Sequence, residues 1–239
     1  MKSSRSVSVI LAGYNESDNV MQAMERMYEM LTKNFENFEL IMVDDASKDD
    51  TAALMDAFAG EHDEVKVVRN YVNLNFGTSV LRGMAMAQNE YVTFTACDLP
   101  IAPEDIGNLI CEMDDDIDLL VMERRNYVTT KWRSITSKGN TILLRILYPK
   151  LTRGTPVLNY SQIFRRRIIP DIIPLARSPI FVWPELIFRA KLLGVNWINV
   201  PVECRVTNLR RGAFGHPHDI IWGMYDMFRF RIRLWSGNY

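Results

Sequence analysis

The sequence predicts an α/β protein with a mostly parallel sheet flanked by helices. Strand-like apolar runs alternate with helix-like stretches through residues 7–122. Several strand-like runs stop at polar residues, as Phe38–Val43 stops at Asp44 and Asp45. Alternating strands and helices favour parallel strands joined by right-handed crossovers, and such sheets bind ligands at the carboxyl ends of their strands. The polar strand ends therefore predict a ligand site at that edge.

Each element of the first half follows from its local pattern. Strands are predicted near 7–12, 38–43, 65–69, 91–96 and 117–122, because these short runs are mainly apolar. Helices are predicted near 18–33, 50–60, 78–88 and 103–113, several of which have apolar residues at three- and four-residue spacing. The cluster Asp49–Thr51 is a candidate helix N-cap, and Pro103 suits the first turn of a helix.

The second half has a looser pattern. A basic helix is predicted over Lys131–Tyr148, another helix over Trp183–Leu193 and a strand over Val195–Val200. Residues 156–167 are less regular, and residues 205–219 have the Gly, Arg and His content of a loop. No internal repeat or long linker occurs, so we expect one domain over 1–215 and a helical C-terminal extension over 216–239.

Composition limits the class of protein. The chain has 239 residues, of which 48% are hydrophobic and 10% aromatic, enough to fill a sizeable core. Its three cysteines, Cys97, Cys111 and Cys204, form no CxxC pair and leave one over, so a reduced, cytoplasmic setting is expected. The amino terminus lacks the apolar segment of a signal peptide, and no run of about 18 apolar residues occurs, so no membrane-spanning helix is expected.

The net charge of −1 conceals a division between the two halves. Residues 1–120 carry 8 Lys and Arg against 23 Asp and Glu, whereas residues 121–239 carry 20 against 6. The first part is therefore acidic by 15 charges and the second basic by 14. This asymmetry indicates an anionic partner for the basic part, or two halves that neutralise each other across an interface.

Three strand ends in the first half carry polar groups. The run Val7–Ala12 ends at Gly13–Glu16, the second run ends at Asp44–Asp45, and Tyr91–Thr95 ends at Ala96–Asp98. One such end is explained by the ordinary polarity of loops. Three at the spacing of βα units favour a site for a nucleotide and its phosphates.

Two segments carry a family resemblance. Ala12–Asn19 reads AGYNESDN and Val43–Thr51 reads VDDASKDDT. They resemble the P-x-Y-N-E-x-x-N and V-D-D-x-S-x-D-x-T motifs of family 2 glycosyltransferases, with Ala12 replacing the proline and every position of the second motif met. Within that family the chain resembles the dolichol- and polyprenyl-phosphate hexosyltransferases, most strongly over 7–140. The resemblance implies a Rossmann-like GT-A fold and a nucleotide-diphosphate sugar as donor.

The resemblance also implies which residues bind the donor. Asp45 would accept a hydrogen bond from the nucleobase, and Tyr14 and Glu16 would line the nucleoside pocket. The other nucleotide-sugar residues implied in this way are Ala12, Asn15, Gly77 and Cys97. Gly77 belongs to a segment similar to the N-x-G of the family, although a lone glycine also suits a simple turn.

The metal motif of the family is only partly present. Where relatives have D-x-D-L-Q, this chain reads Ala96-Cys97-Asp98-Leu99-Pro100. The resemblance implies Mg²⁺ or Mn²⁺ bound to the donor diphosphate, and Asp98 is the remaining candidate ligand and catalytic carboxylate. His216 lies where some GT-A enzymes place a late metal ligand, although a loop histidine is more often solvated. The divalent cation is therefore expected to be weakly held, or replaced by basic groups of the C-terminal half.

The acceptor side of the resemblance consists of basic residues. Arg124 follows the fifth predicted strand, and Arg133 and Ser137 lie four residues apart on the predicted basic helix. In the family such residues bind the phosphate of the lipid acceptor, a task that suits guanidinium groups. A solvated basic helix is the alternative. Glu185 lies where related inverting enzymes keep an acid that acts as catalytic base, which a hydroxyl acceptor would need and a phosphate would not.

These expectations define one function and its alternatives. The chain is predicted to be an inverting glycosyltransferase, with residues 1–122 as its nucleotide-sugar half and 123–215 as its acceptor half. The expected acceptor is a polyprenyl phosphate at the inner face of the membrane, contacted peripherally by Ile220–Trp235. The alternatives are transfer to a hydroxyl of a glycan or metabolite, and a non-catalytic nucleotide-sugar-binding module. No nucleic-acid partner is expected, and the lack of GxGxxG after a strand argues against an NAD-dependent oxidoreductase.

Overall fold

A computed structural model describes residues 2–125, 131–154, 161–204 and 217–237. Seven strands form one sheet: β1 (Ser3–Gly13), β2 (Phe35–Asp44), β3 (Val65–Arg69), β4 (Tyr91–Ala96), β5 (Leu119–Arg125), β6 (Gln162–Arg165) and β7 (Trp197–Glu203). The helices are α1 (Val20–Asn34), α2 (Thr51–Glu61), α3 (Asn75–Met86), α4 (Pro103–Glu112), α5 (Lys131–Leu147), α6 (Pro149–Thr152), α7 (Ile169–Ile172), α8 (Val182–Leu192) and α9 (Pro217–Ser236). The predicted sheet flanked by helices is thereby confirmed.

The strands follow the order β3-β2-β1-β4-β6-β5-β7. Strands β1 to β4 are parallel to one another, and β5 is parallel to β7. Strand β6 is antiparallel to both of its neighbours, β4 and β5. Strand β5 consequently runs in the same direction as β4, and both have their carboxyl ends at the same edge.

Alternating residues of the strands serve two cores. On β1, Ile10 and Ala12 face one core, which also contains residues of α3, α8 and α9. Val9 and Leu11 face the other core, which contains residues of α1 and α4. A period of two is what a sheet covered on both faces requires.

Close packing of α3 on the sheet depends on Gly83. A Cβ at this position would lie 2.5 Å from Cγ2 of Ile10, a contact that a larger residue could not make. Gly83 thus allows α3 to pack closely against β1.

The main difference from the predicted elements is β6. The sequence around residues 156–167 shows no clear strand pattern, yet Gln162–Arg165 forms a buried strand. A four-residue strand is too short for alternation to be visible, and its pairing on both sides supplies the hydrogen bonds that local pattern does not predict. The strand predicted over Val195–Val200 begins later, at Trp197, and runs to Glu203.

The expected N-cap of α2 also differs in detail. Asp50 occupies the N-cap position but makes no side-chain capping bond. Asp49 takes over this task, because its Oδ1 accepts the N–H of Thr51 at 3.1 Å. The acidic cluster therefore does cap the helix, through the residue one position earlier.

Helix α9 packs its inner face onto the domain. Met227 and Phe230 belong to the same core as Ile10 and Phe94 of the sheet. The hydroxyl of Tyr148 donates a hydrogen bond to the carbonyl of Met227. Across the described parts of the chain, no helix combines the length and the apolar character that crossing a membrane would require.

Candidate functional site

The polar strand ends meet at the carboxyl edge of the sheet, as predicted. Gly13 pairs with Asp44, and Ala12 pairs with Ala96, so β1, β2 and β4 end at the same level. Asp44 pairs in turn with Arg69 at the end of β3. The loops after four parallel strands thus share one edge, which we call the donor edge.

Strained backbone is concentrated at the donor edge. The four non-glycine residues with positive φ in the described ranges are Asn15 (53°), Ala46 (62°), Asn75 (69°) and Leu99 (43°). They follow β1, β2, β3 and β4 respectively. A left-handed non-glycine residue costs on the order of 1–3 kcal/mol, and such residues cluster where the surrounding structure must hold a functional geometry. The strain therefore marks this edge independently of its sequence motifs.

Hydrogen bonds join the loops after β1 and β2. The amide of Asn15 donates to Oγ of Ser47 at 3.0 Å, and Oδ1 of Asn15 accepts the amide of Lys48 at 2.7 Å. The amide of Glu16 donates to Oγ1 of Thr51 at 2.8 Å. These contacts explain why the two motifs occur together, since each loop supplies the partners of the other.

Asp49 strengthens the same junction. Its Oδ2 accepts the amide of Ser17 at 3.1 Å, while Oδ1 accepts bonds from the amide and the hydroxyl of Thr51. Although partial burial alone would raise it, these hydrogen bonds lower the pKa of Asp49 to about 2. The carboxylate is thus held in its charged form as a structural link between the loops.

Asp45 connects the edge to the loop after β3. It is only 3% exposed, and its Oδ1 accepts the side-chain amide of Asn70 and the backbone amide of Leu74, both at 2.7 Å. The amide of Asn70 also donates to Oγ of Ser79 at 2.8 Å. Among the described residues no protein donor reaches Oδ2 of Asp45, so this oxygen can accept a hydrogen bond from a ligand.

Tyr14 and Glu16 lie in the loop that follows β1. Tyr14 is exposed, and its ring is available for stacking on a planar ligand. Oε2 of Glu16 accepts the side-chain amide of Asn19 at 2.7 Å, which fixes the orientation of the carboxylate.

Ala12 and Cys97 are buried at the carboxyl ends of β1 and β4. The thiol of Cys97 lies 3.7 Å from the carbonyl oxygen of Ala12, and a Cβ on Gly13 would lie 2.7 Å from the same sulfur. Burial, followed by the charges of Glu16 and Asp98, raises the pKa of the Cys97 thiol. The thiol therefore stays neutral and contributes packing, and Gly13 is required for the close approach of β1 and β4.

Asp98 is the exposed residue of the expected metal motif. It lies in a turn closed by the amide of Leu99, which donates to the carbonyl of Ala96 at 3.0 Å. Within the described ranges, no group of three or more His, Cys, Asp or Glu side chains could hold a metal ion. A divalent cation would fit beside Asp98 if oxygens of a bound diphosphate supplied further ligands.

Gly77 lies in the first turn of α3 and contacts α8. A Cβ at this position would lie 3.3 Å from Cγ1 of Val182. The beginnings of α3 and α8 are therefore packed against each other, which places the segment before α8 beside the donor edge.

The predicted acceptor residues are described only in part. Arg124 lies near the end of β5, whose carboxyl end shares the donor edge, and Arg133 and Ser137 lie in α5. Ser137 is exposed, as an acceptor ligand must be. The side chains of Arg124 and Arg133, and the whole of His216, lie outside the described residues. Their predicted roles remain predictions.

Glu185 lies in the core rather than in an open site. It is 2% exposed, and its two oxygens accept the amides of Leu175 at 3.0 Å and Ala176 at 2.8 Å. Arg189, one turn further along α8, donates through Nε at 2.9 Å. A general base must reach the proton of its substrate, and this carboxylate is buried and fully engaged. The geometry argues against the predicted base role and gives Glu185 a structural one.

Two polar residues of this region escaped the sequence analysis. Asn70 directly follows β3, so the rule that identified Asp45 would have identified it as well. Asp226 lies inside α9 and is 6% exposed, and its buried role carries no sequence signal because it looks like one more charge on an amphipathic helix.

Taken together, the edge and its loops define an α/β protein with a candidate ligand site at the carboxyl ends of its parallel strands. The chain belongs to glycosyl transferase family 2, whose sequence model matches residues 8–172. Among its relatives is the undecaprenyl-phosphate 4-deoxy-4-formamido-L-arabinose transferase of Proteus mirabilis, 27% identical over 181 residues, covering 74% of this chain and 54% of the relative. The corresponding transferase of Klebsiella pneumoniae subsp. pneumoniae is 25% identical over 184 residues, covering 74% and 54%. The chain thus spans about half the length of the curated relatives it matches.

Solved structures confirm the GT-A fold class. Glucosyl-3-phosphoglycerate synthase from Mycobacterium tuberculosis, in complex with Mn²⁺, UDP and glucosyl-3-phosphoglycerate, matches with a TM-score of 0.68 at 20% identity, covering 95% of this chain and 80% of that one. The same enzyme with Mn²⁺, UDP-glucose and phosphoglyceric acid also matches at 0.68 and 20% identity, covering 94% and 80%. At this identity the likeness establishes the fold.

Proposed function

We propose that this chain is an inverting glycosyltransferase that moves a sugar from a nucleotide-diphosphate sugar to a polyprenyl-phosphate acceptor. The observation that carries the proposal is the donor edge, where strained loops follow four strand ends and Oδ2 of Asp45 has no protein donor within the described residues. The relatives named as undecaprenyl-phosphate sugar transferases support the acceptor class.

The donor half of the reaction depends on positioning. Asp45 would accept a hydrogen bond from the nucleobase, Tyr14 would pack on the base, and Glu16 would bind the ribose. Asp98 would hold a divalent cation together with the donor phosphates; when bound, such a cation supplies positive charge to the departing diphosphate. Since the fold forms no covalent bond with the sugar, its contribution is orientation and electrostatic stabilisation.

The acceptor half needs no proton transfer. An ionised phosphate oxygen of the lipid attacks the anomeric carbon in line, and the bond from that carbon to the diphosphate oxygen breaks, with its electron pair leaving on the nucleoside diphosphate. The configuration at the anomeric carbon inverts. Arg124, Arg133 and Ser137 would bind the acceptor phosphate through charge-assisted hydrogen bonds. The burial of Glu185 agrees with this chemistry, because a hydroxyl acceptor would require an accessible base.

Helix α9 is the proposed contact with the membrane surface. Its outward face exposes large apolar side chains, namely Ile220, Ile221, Trp222, Met224, Tyr225, Phe228, Ile232 and Trp235. Arg229, Arg231 and Arg233 stand between them and are also exposed or half-buried. An amphipathic helix that combines aromatic and cationic residues is typical of a segment that lies in the interface of an anionic bilayer. This contact would bring the lipid phosphate to the donor edge.

A transfer assay tests the proposed function. The purified chain is incubated with short-chain polyprenyl phosphate and a panel of radiolabelled UDP-, GDP-, CMP- and TDP-sugars, with and without Mn²⁺. A labelled lipid product with one donor supports the proposal. Transfer only to hydroxyl acceptors would replace the lipid by a glycan or metabolite, and donor binding without transfer to either acceptor would indicate a binding module.

A further inference from the structure

Two buried carboxylates hold the segment 175–178, which lies just before α8. Glu185 of α8 accepts the amides of Leu175 and Ala176. Asp226 of α9 accepts the next two amides, those of Arg177 at 3.0 Å and Ser178 at 2.9 Å, both on Oδ2. Four consecutive backbone amides are thus bound by two carboxylates from different helices, a degree of fixation that an ordinary connecting loop does not need.

Helix α9 approaches this segment as closely as its backbone allows. A Cβ on Gly223 would lie 3.1 Å from Cβ of Ile180 and 3.2 Å from Oγ of Ser178. Gly223 therefore permits the contact that brings Asp226 within reach of the two amides. The C-terminal helix is built into the support of this segment.

The opposite side of the segment contacts the donor edge. The side-chain amide of Asn75 donates to the carbonyl of Arg177 at 3.2 Å. Asn75 begins α3 and has a left-handed backbone, and the preceding residue, Leu74, donates its amide to Asp45. Hydrogen bonds to Arg177 and Leu74, together with the peptide link between Leu74 and Asn75, therefore connect Asp226 to Asp45.

The side chain of Arg177 remains available at this place. It is exposed, and within the described residues its guanidinium makes no hydrogen bond or ion pair, although its own backbone is held on both sides. The donor edge needs such a cation, because Ala96 and Pro100 offer no side-chain oxygen to a metal that would neutralise a diphosphate. A guanidinium matches the geometry of phosphate oxygens and keeps its charge at any physiological pH.

We propose that Arg177 binds the diphosphate of the donor and that Asp226 is the positioning residue that holds it there. The inference rests on the proposed function, since it concerns the same site. It assigns to the C-terminal helix a part in donor binding, which is separate from its proposed contact with the membrane.

Binding of nucleoside diphosphates to the purified chain tests the assignment of Arg177. The probe is whichever of UDP, GDP, CDP and TDP binds the wild type most tightly by calorimetry, together with the matching nucleoside without phosphates. Arg177→Ala should weaken the diphosphate by about tenfold, the effect of losing one charge-assisted contact, and leave the nucleoside unchanged. Arg177→Lys should recover part of the loss. Arg166→Ala removes an exposed arginine near the opposite edge of the sheet and should change neither affinity, which makes it the matched control for charge.

The role of Asp226 is tested in the same assay. Asp226→Asn keeps an oxygen that can accept an amide, whereas Asp226→Ala leaves two buried amides without their partner. The alanine variant should reproduce the loss of Arg177→Ala for the diphosphate only, and the asparagine variant should retain more of the affinity. In the Arg177→Ala background, Asp226→Ala should cause no further loss, because both changes remove the same contact. A melting curve for each variant limits the comparison to folded protein.

The outcomes separate this inference from the proposed function. If the wild type binds none of the four diphosphates, both are overturned. If it binds one of them and Arg177→Ala binds it equally well, the assignment of Arg177 is wrong and the proposed function stands. Equal losses of nucleoside and diphosphate would show a general distortion of the pocket and would also overturn the assignment. If Asp226→Ala unfolds the chain, Asp226→Ser replaces it, because its hydroxyl is one bond shorter than the carboxylate and cannot make the two contacts of Oδ2. Wild-type affinity for the diphosphate in folded Asp226→Ser would exclude a positioning role.

Discussion

At the scale of single residues, the side chains of the V-D-D-x-S-x-D-x-T segment have different surroundings. Ser47, Asp49 and Thr51 are occupied by the loop after β1. Asp45 keeps one carboxylate oxygen, Oδ2, that accepts no protein donor within the described residues. A motif can therefore be matched at every position although several of its side chains bind a neighbouring loop of the protein. The sequence could place the motif at the end of a strand but could not divide these roles.

The first prediction concerns Asp45. Asp45→Ala should weaken donor binding by about 1.5–3 kcal/mol, the usual contribution of a hydrogen bond to a charged group. The alanine variant also removes the acceptor of Asn70 and Leu74, so it should melt at a lower temperature. Asp45→Asn separates the structural effect from the effect on binding, because its amide oxygen can still accept both bonds while the carboxylate is lost. Calorimetry with the donor that the transfer assay identifies measures the effect. If folded Asp45→Asn binds this donor with wild-type affinity, the carboxylate does not contribute to the base pocket.

The second prediction concerns the pH dependence of stability. The folded pKa of Asp49 is lowered to about 2, below the value of about 3.9 for an unfolded chain. Its contribution is therefore fully present above the unfolded pKa and is lost as the pH falls through the folded pKa. With allowance for solvent screening, we expect Asp49→Asn to cost about 1 kcal/mol of unfolding free energy at neutral pH. Urea denaturation should show the difference from wild type shrinking between about pH 5 and pH 2. A difference that stays constant with pH would mean that the charge of Asp49 is irrelevant.

At the scale of elements, the helices contain buried polar residues whose roles the spacing of apolar residues does not reveal. The spacing of apolar residues correctly predicts α5 and places α8 within one residue of its bounds. It cannot show that Glu185 faces inward, because an acid in the first turn of a helix normally faces solvent or the helix dipole. Glu185 is buried where it binds the 175–176 segment in tertiary contacts and Arg189 within the same helix. Because such contacts leave no local sequence pattern, the sequence analysis assigned Glu185 to the site, whereas the structure buries it in the core.

The third prediction follows from this buried carboxylate. Glu185→Gln keeps the shape but can no longer satisfy its three donors as an anion, so the melting temperature should fall by several degrees. Turnover per folded molecule should stay within a few-fold of wild type, because the group supports the site without taking a proton. A general base would lose about 10²-fold or more when neutralised. Turnover measured on protein well below its melting temperature distinguishes the two, and a loss of the larger size would restore the base role.

The fourth prediction concerns the outward face of α9. The combined change Ile221→Ser, Phe228→Ser and Ile232→Ser removes three exposed apolar side chains without touching the inner face. Binding to vesicles rich in phosphatidylglycerol should fall by about tenfold or more, because interfacial helices bind in proportion to the apolar area that they bury. Nucleotide affinity and melting temperature should not change.

The matched control variant changes exposed apolar residues elsewhere on the protein surface. Met86→Ser and Leu193→Ser also remove exposed apolar side chains, but from the ends of α3 and α8. Their vesicle binding should equal that of wild type, as measured by cosedimentation. Equal binding by the α9 variant would refute the proposed membrane contact, and equal losses in both variants would indicate unspecific adhesion.

At the scale of the whole molecule, charge and topology act together. The acidic first half supplies the edge proposed to bind the nucleobase, and the basic second half supplies Arg177 and the predicted acceptor arginines. The carboxyl end of β5 shares the edge of β4, because β6, which lies between them in the sheet, is antiparallel to both. The sequence predicted the donor strands well since each is a local signal. It could not predict how the second half folds back onto that edge, since this depends on the long-range pairing of β6 and on contacts of α9.

The last prediction concerns the cation, which is a property of this whole arrangement. A departing diphosphate must be neutralised, and among the residues described at the donor edge Asp98 offers the exposed carboxylate of the motif while Arg177 offers fixed positive charge. If both contribute, EDTA should abolish transfer, and activity should return only at high Mn²⁺ or Mg²⁺, because a single carboxylate holds such ions weakly without the substrate phosphates. Asp98→Ala should then lose most of the remaining activity. Ala96→Asp adds a second hard ligand and should lower the required Mn²⁺ toward about micromolar concentrations. Full activity in EDTA would contradict the cation, and it would leave the guanidinium of Arg177 as the principal counter-charge, which predicts that Arg177→Ala is then far more damaging than Asp98→Ala.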